Sequence, residues 1–199
     1  MTRGPLTLTA AALLWSGVAL AGDPDNRPVG EVGKPAAEFS LTDQDGKKHT
    51  LSQYKGSVVV LEWTNPGCPF VKRHYKARTM ATTQEKLGKK VVWLAVNSTH
   101  DNTAEASKKW AEEHKLGYVT LQDGDGTVGR SYGARTTPHM FVIDGKGILR
   151  YAGAIDDDPS GKAATARNYV DEAVTALLAG KLPAVASTDP YGCSVKYRK

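Results

Sequence analysis

Cysteine is scarce in this chain: Cys68 and Cys193 are the only two in 199 residues, so it can close at most one internal disulfide. Long apolar runs are missing after residue 21, which leaves no segment there to span a bilayer. No stripe of Lys and Arg interleaved with aromatics occurs, so nucleic acid is not an expected partner. The net charge of +5 is dispersed over small clusters at Lys72-Arg73, Lys89-Lys90 and the last four residues, as on a solvated surface. Internal repeats, low-complexity tracts and internal linkers are also absent, and the length suits one well-packed domain better than two. His100, His114 and His139 stand at no metal-ligand spacing from either cysteine, so neither a metal nor a cofactor is expected.

The chain opens with the pattern of an export signal over residues 1–21. Arg3 supplies the positive end, Leu6 to Leu20 is mostly apolar, and Ala19-Leu20-Ala21 has the form of a cleavage site. An uncleaved anchor is the alternative, but the apolar core is short for a span. Cleavage leaves an exported, periplasmic or secreted protein with no stable membrane span. Residues 22–34, rich in Pro, Gly and Asp, are predicted to be a flexible lead-in. A body over 35–182 and a tail over 183–199 follow. Both cysteines survive cleavage, and in an oxidising compartment such a pair can be a disulfide.

The run from Val58 to Tyr75 is the most informative. Val58 to Trp63 is a continuous β-branched and apolar strand broken by Glu62, as in a central strand covered on both faces. Asn65-Pro66-Gly67 turns the chain, Cys68 follows, and Pro69 suits the first position of a helix. A thiol at a helix N-terminus feels the positive end of the dipole and unpaired N–H groups, which favour the thiolate. Cys68 is therefore a candidate nucleophile, the alternative being a small buried hydrophobe. Further along, Phe39 to Leu51 alternates like a hairpin and Phe70 to about Leu87 is predicted as one helix. Val91 to Val96 is a buried strand, Thr103 to His114 a helix and Tyr118 to Leu121 a short strand. Met140 to Tyr151 forms a hairpin around Asp144-Gly145-Lys146-Gly147, and Ala163 to about Ala179 is a helix closed by Gly180. This order predicts an α/β protein with a mixed sheet and helices on both faces.

With a cysteine after the first central strand and Thr137-Pro138 before the hairpin, the chain resembles the thioredoxin fold. More narrowly it resembles the peroxiredoxin-like redoxins related to alkyl hydroperoxide reductase and thiol-specific antioxidant. The pieces are Phe39-Ser40-Leu41 with Asp45-Gly46, the block from Asn65 to Val71, Thr137-Pro138, Phe141 to Gly145, Ala154 to Asp157 and Gly192 to Tyr197. The resemblance implies a thioredoxin-like fold with an N-terminal hairpin extension. It also implies a cis bond at Thr137-Pro138 facing the Cys68 sulfur, with the backbone before Pro138 free to pair with an extended partner. Pro69 and Phe70 would complete that docking surface, and His139 would line the site. Two departures stand out. Val71 occupies the place of the second thioredoxin cysteine, so no local disulfide can form. Asn65 stands where typical peroxiredoxins carry Thr, with Arg135 near but not at the place of their active-site Arg.

Cys68 would attack a sulfur or a peroxide oxygen. Glu62 lies where thioredoxins place a buried carboxylate, which can act as a general base; pairing with a lysine such as Lys90 is the alternative. His74, six residues after Cys68, points well round the helix, whereas Lys72 and Tyr75 share its face. Lys72 can stabilise a thiolate or stand solvated. The helix before the tail spans roughly 25 Å, and from Lys181 to Cys193 an extended chain reaches about 40 Å, so the tail can return to Cys68. Three readings result: a thiol redox protein with Cys68 as nucleophile and Cys193 as resolving cysteine, a copper-handling protein on a redoxin scaffold, or a redox-inert domain stapled by a structural disulfide. In the first, a peroxide or protein disulfide is the substrate and a thiol that the sequence does not name is the reductant.

Overall fold

The computed structural model describes Met1 and residues 30–199, so the export signal and most of the lead-in lie outside the described residues. The described end of the lead-in is bonded rather than loose. Gly30 N–H donates to Ser131, Gly33 N–H donates to Leu149, and Leu149 N–H donates back to Lys34.

The strands are β1 (Ser40–Asp43), β2 (Lys48–Thr50), β3 (Val58–Trp63), β4 (Val91–Asn97), β5 (Val119–Gln122), β6 (Thr136–Thr137), β7 (His139–Ile143), β8 (Leu149–Gly153) and β9 (Cys193–Ser194). The helices are α1 (Pro69–Lys76), α2 (Thr79–Leu87), α3 (Ala104–Glu113), α4 (Thr127–Tyr132) and α5 (Tyr169–Leu178). Among the described residues seven strands form one sheet in the order β2-β1-β5-β4-β3-β7-β8. β3 runs parallel to β4, and β4 to β5, while on the other side of β3 β7 runs antiparallel to it and β8 antiparallel to β7. This is the thioredoxin-like arrangement, with the β1–β2 hairpin as its N-terminal extension.

Side chains alternate across β3 with period two. Val58 and Val60 face the core under α1, α2 and α5, with Val71, Tyr75, Met80, Val170 and Val174. Val59, Leu61 and Trp63 face the opposite core, with Val128, Tyr132 and Phe141. The same alternation puts Glu62 on the Val58–Val60 face, toward α1.

Several elements depart from the sequence expectation. The helix expected from Phe70 to Leu87 is two helices, because Arg78 turns left-handed at φ 58°. The break lets α1 bury Val71, His74 and Tyr75 while α2 independently buries Met80, Ala81 and Leu87. The helix expected from Ala163 begins only at Tyr169. Residues 161–167 are exposed, with no apolar surface to order them, and Asn168 Oδ1 caps the helix by accepting from Asp171 N–H at 2.9 Å. The tail is not a free end: Cys193–Ser194 pairs antiparallel with Thr136–Thr137, a two-stranded sheet too short to leave a pattern in sequence.

Candidate active site

Cys68 is the N-cap residue of α1, with Pro69 at the first helical position. Its own N–H donates to Asn65 at 2.9 Å, and Asn65 Oδ1 accepts from Gly67 N–H at 2.7 Å, so the Asn-Pro-Gly turn sets the thiol at the helix mouth. The side chain is 2% exposed. The Thr137-Pro138 bond is cis, and as a thiol Cys68 donates to the Thr137 carbonyl oxygen at 3.0 Å. On the other side of Thr137, β9 pairs Cys193 directly opposite it. Strand, turn, helix and tail thus converge on one backbone edge and bring both cysteines to it as free thiols.

The two thiols are shifted in opposite directions. Burial works to raise the pKa of Cys68, but donation from the Cys193 thiol, the Val71 N–H, the Thr137 hydroxyl and the Cys193 N–H outweighs it and lowers the pKa. The bond to the Thr137 carbonyl serves only the protonated thiol and opposes that lowering. For Cys193, burial, the hydrogen bond to Cys68 and the charge on Cys68 push the pKa up to about 11. The arrangement makes Cys68 the first of the two thiols to ionise.

Glu62, on β3, is fully buried. Lys90 is exposed and does not pair with it; its hydrogen-bond partners are uncharged donors. Oε1 accepts from Tyr75 OH at 2.7 Å, and Oε2 accepts from Trp93 Nε1 at 3.0 Å and Tyr118 OH at 3.3 Å. Burial outweighs these bonds and raises its pKa to about 7. The carboxyl therefore exchanges its proton close to neutrality.

Pro69 is exposed, whereas Phe70 packs its ring 6.0 Å from that of Tyr191 in the tail. Lys72 is exposed. Thr64 turns to Tyr75 at 3.5 Å, and Arg135 pairs at the surface with Asp189 at 3.6 Å. His139 follows Pro138 and accepts from Arg135 N–H at 3.2 Å through Nδ1. Burial, aided by the Arg135 charge, lowers its pKa to about 3, so it stays neutral. A cleft of about 460 Å³ lies beside it, lined among others by Arg135, His139 and Ser187 to Pro190.

Sequence reasoning missed how the tail is held. Tyr191 OH donates to Asp156 Oδ1 and meets His74 Nε2 at 3.0 Å, and the Arg73 guanidinium lies 5.8 Å from the centre of its ring. His74 is thus directed at the tail, with Nδ1 3.2 Å from Thr79 Oγ1. The sequence hint was a tyrosine, Tyr191, two residues before Cys193.

A thioredoxin-like sheet with a cysteine at a helix mouth, set against a cis Thr-Pro edge, defines a redoxin. The AhpC/TSA family model matches residues 32–152, and the chain belongs to that family. It is 31% identical over 158 residues to the thiol:disulfide interchange protein DsbE of Escherichia coli K12, covering 75% of this chain and 80% of that one. It is 30% identical over 155 residues to chloroplastic peroxiredoxin Q of Triticum aestivum, covering 68% of each. Among solved structures, a hypothetical protein from Sinorhizobium meliloti 1021 superposes with a TM-score of 0.77 at 28% identity, covering 84% of this chain and 95% of that one. An uncharacterized conserved protein from Geobacillus kaustophilus gives 0.75 at 27% identity, covering 85% and 94%.

Proposed function

We propose that this chain is an exported thiol oxidoreductase of the redoxin type, with Cys68 as nucleophile and Cys193 as the resolving cysteine. The observation that carries this reading is the juxtaposition of the two thiols on the Thr137 edge, with the Cys68 pKa lowered and that of Cys193 raised. The Cys68 thiolate attacks one oxygen of a peroxide. The O–O bond breaks, the departing oxygen leaves as water or alcohol after protonation, and Cys68 becomes a sulfenic acid. Cys193 sulfur then attacks the Cys68 sulfur and displaces the hydroxyl as water, closing the Cys68–Cys193 disulfide. With a protein disulfide as oxidant, Cys68 instead forms a mixed disulfide, and Cys193 displaces the partner thiol. An external thiol reductant reopens the pair.

The high pKa of Cys193 does not block the second step. It is raised partly by the Cys68 charge and hydrogen bond, and both vanish once Cys68 is oxidised. Cys193 then ionises more readily when its thiolate is needed. Glu62 is proposed to take or return the proton from behind, and Thr137, Pro138, Pro69 and Phe70 to seat the oxidant or partner. Export rests on the pattern of residues 1–21.

The test is a redox titration of the full chain in glutathione buffers, trapped by alkylation and read by mass spectrometry. A Cys68–Cys193 link that forms and opens reversibly across one midpoint supports the reading. Two thiols that alkylate independently at every potential contradict it. A link that dithiols cannot open under native conditions makes it a structural staple.

A further inference from the structure

Cys68 is covered by the chain's own tail, and the manner of covering specifies a ligand. The strap is anchored at both ends. Thr188 Oγ1 accepts from Ala154 N–H at 2.9 Å, Val195 N–H donates to Arg135 at 3.1 Å, and Tyr197 OH donates to Ala134 at 2.8 Å. Between the anchors, Tyr191, Gly192 and Cys193 are only partly buried and lie across the Thr137 edge. The hydrogen bonds along that edge are main-chain bonds and carry no sequence preference. Preference comes from what flanks them. The Tyr191 ring sits against Phe70, His74 and the Arg73 guanidinium, with its hydroxyl on Asp156. At 192, φ is +140° and an added Cβ would lie 2.7 Å from the Thr137 carbonyl carbon and closer still to its oxygen, so only glycine fits. The next residue brings its sulfur to Cys68.

A reactant larger than a peroxide reaches Cys68 only by lifting this strap, and a chain that pairs with the same edge restores the bonds that lifting breaks. We propose that Tyr191-Gly192-Cys193 is the internal stand-in for a protein partner, and that the Thr136–Thr137 edge accepts in trans an extended segment reading tyrosine-glycine-cysteine. This rests on Cys68 being the redox nucleophile and names the class of protein it exchanges with. In the step itself, the Cys68 thiolate attacks the partner cysteine's sulfur within a disulfide. The new bond joins the two proteins, and the partner's former sulfur mate leaves with the electron pair as a thiolate.

The full chain carrying Cys193→Ser tests this. A peptide of residues 189–196 is prepared with its cysteine as the mixed disulfide with thionitrobenzoate, alongside versions with alanine for the glycine or for the tyrosine. Thionitrobenzoate release reports attack by Cys68. The native peptide is expected to react about tenfold or more faster than either alanine version. Adding Tyr191→Ala to the protein should speed the native peptide further, because it loosens the competing strap. Equal rates for the three peptides, or no reaction with any of them while a thionitrobenzoate disulfide of cysteamine still reacts, overturns the recognition proposal and leaves the redox reading standing. No change on loosening the strap shows that the tail does not compete for the edge, which also overturns it. Failure of the cysteamine disulfide as well defeats the redox reading and the proposal with it.

Discussion

Gly192→Ala should uncover Cys68. At φ +140° an alanine carries backbone strain of about 1–3 kcal/mol. Its Cβ would also strike the Thr137 carbonyl group, a backbone obstacle that no rotamer change relieves. The strand must therefore back away from Thr136–Thr137 and give up its pairing, at about 1 kcal/mol for each hydrogen bond lost. Whether the strain is kept or the pairing is lost, the covered state is weakened by about 2 kcal/mol, or about thirtyfold in the population with the strap lifted. Since Cys68 is 2% exposed, alkylation proceeds through that population, and its rate should rise by a comparable factor. Losing the Cys193 donor also raises the Cys68 pKa and so works the other way near neutrality. The rate should therefore be compared on the high-pH plateau of each protein's alkylation profile, where Cys68 is fully ionised. Peptide-resolved mass spectrometry separates Cys68 from Cys193, and circular dichroism checks the fold. A Cys68 rate within about twofold of the parent protein, with the fold intact, would refute the view that the tail covers the nucleophile.

Three further outcomes follow from the same geometry. Cys193→Ala removes the largest of the donors to Cys68, so the midpoint of Cys68 alkylation against pH should move upward; an unchanged midpoint would show that the thiols do not interact. Burial raises the Glu62 pKa from the ordinary 4.5 to about 7, so the fold favours the protonated form and stability is lost as pH rises from the lower value through the upper. Glu62→Gln should remove about 2.5 kcal/mol of pH-dependent stability between pH 5 and pH 8, read by urea unfolding as the difference from the parent protein. Tyr191→Phe keeps the ring but loses the hydroxyl bonds to Asp156 and His74, and amide exchange at Val195, whose N–H donates to Arg135, should quicken about tenfold, whereas an unchanged rate would deny the latch its role.

The sequence disclosed what local chemistry determines. The β-branched run of β3, the Asn-Pro-Gly turn, Cys68 and Pro69 act within a dozen residues, and alternation along β3 placed Glu62 on a buried face. The break at Arg78 was hidden because no Pro or Gly marks residues 77–79; the packing of α1 and α2 demands it. Ala163 to Ala166 read as helix from composition, but their exposure leaves them nothing to pack against. α4 was missed because it is six residues long with Gly129 inside it. The strap was hidden for a different reason. β9 is two residues long and pairs with a segment more than fifty positions away, and His74, Asp156 and Tyr191 meet only once the chain has folded. Helical geometry correctly directed His74 away from Cys68 but did not show what it faces.

The central claim is that Cys68 and Cys193 work as a redox pair, and the most direct measurement is a peptide map after one equivalent of peroxide. The full chain, reduced and then oxidised, should yield a single peptide pair linked through Cys68 and Cys193 that separates on adding a dithiol and forms again with fresh peroxide. Recovery of Cys68 as sulfinic or sulfonic acid beside a free Cys193 thiol would contradict the account, because a tail thiol seated on the Thr137 edge should intercept the sulfenic acid first.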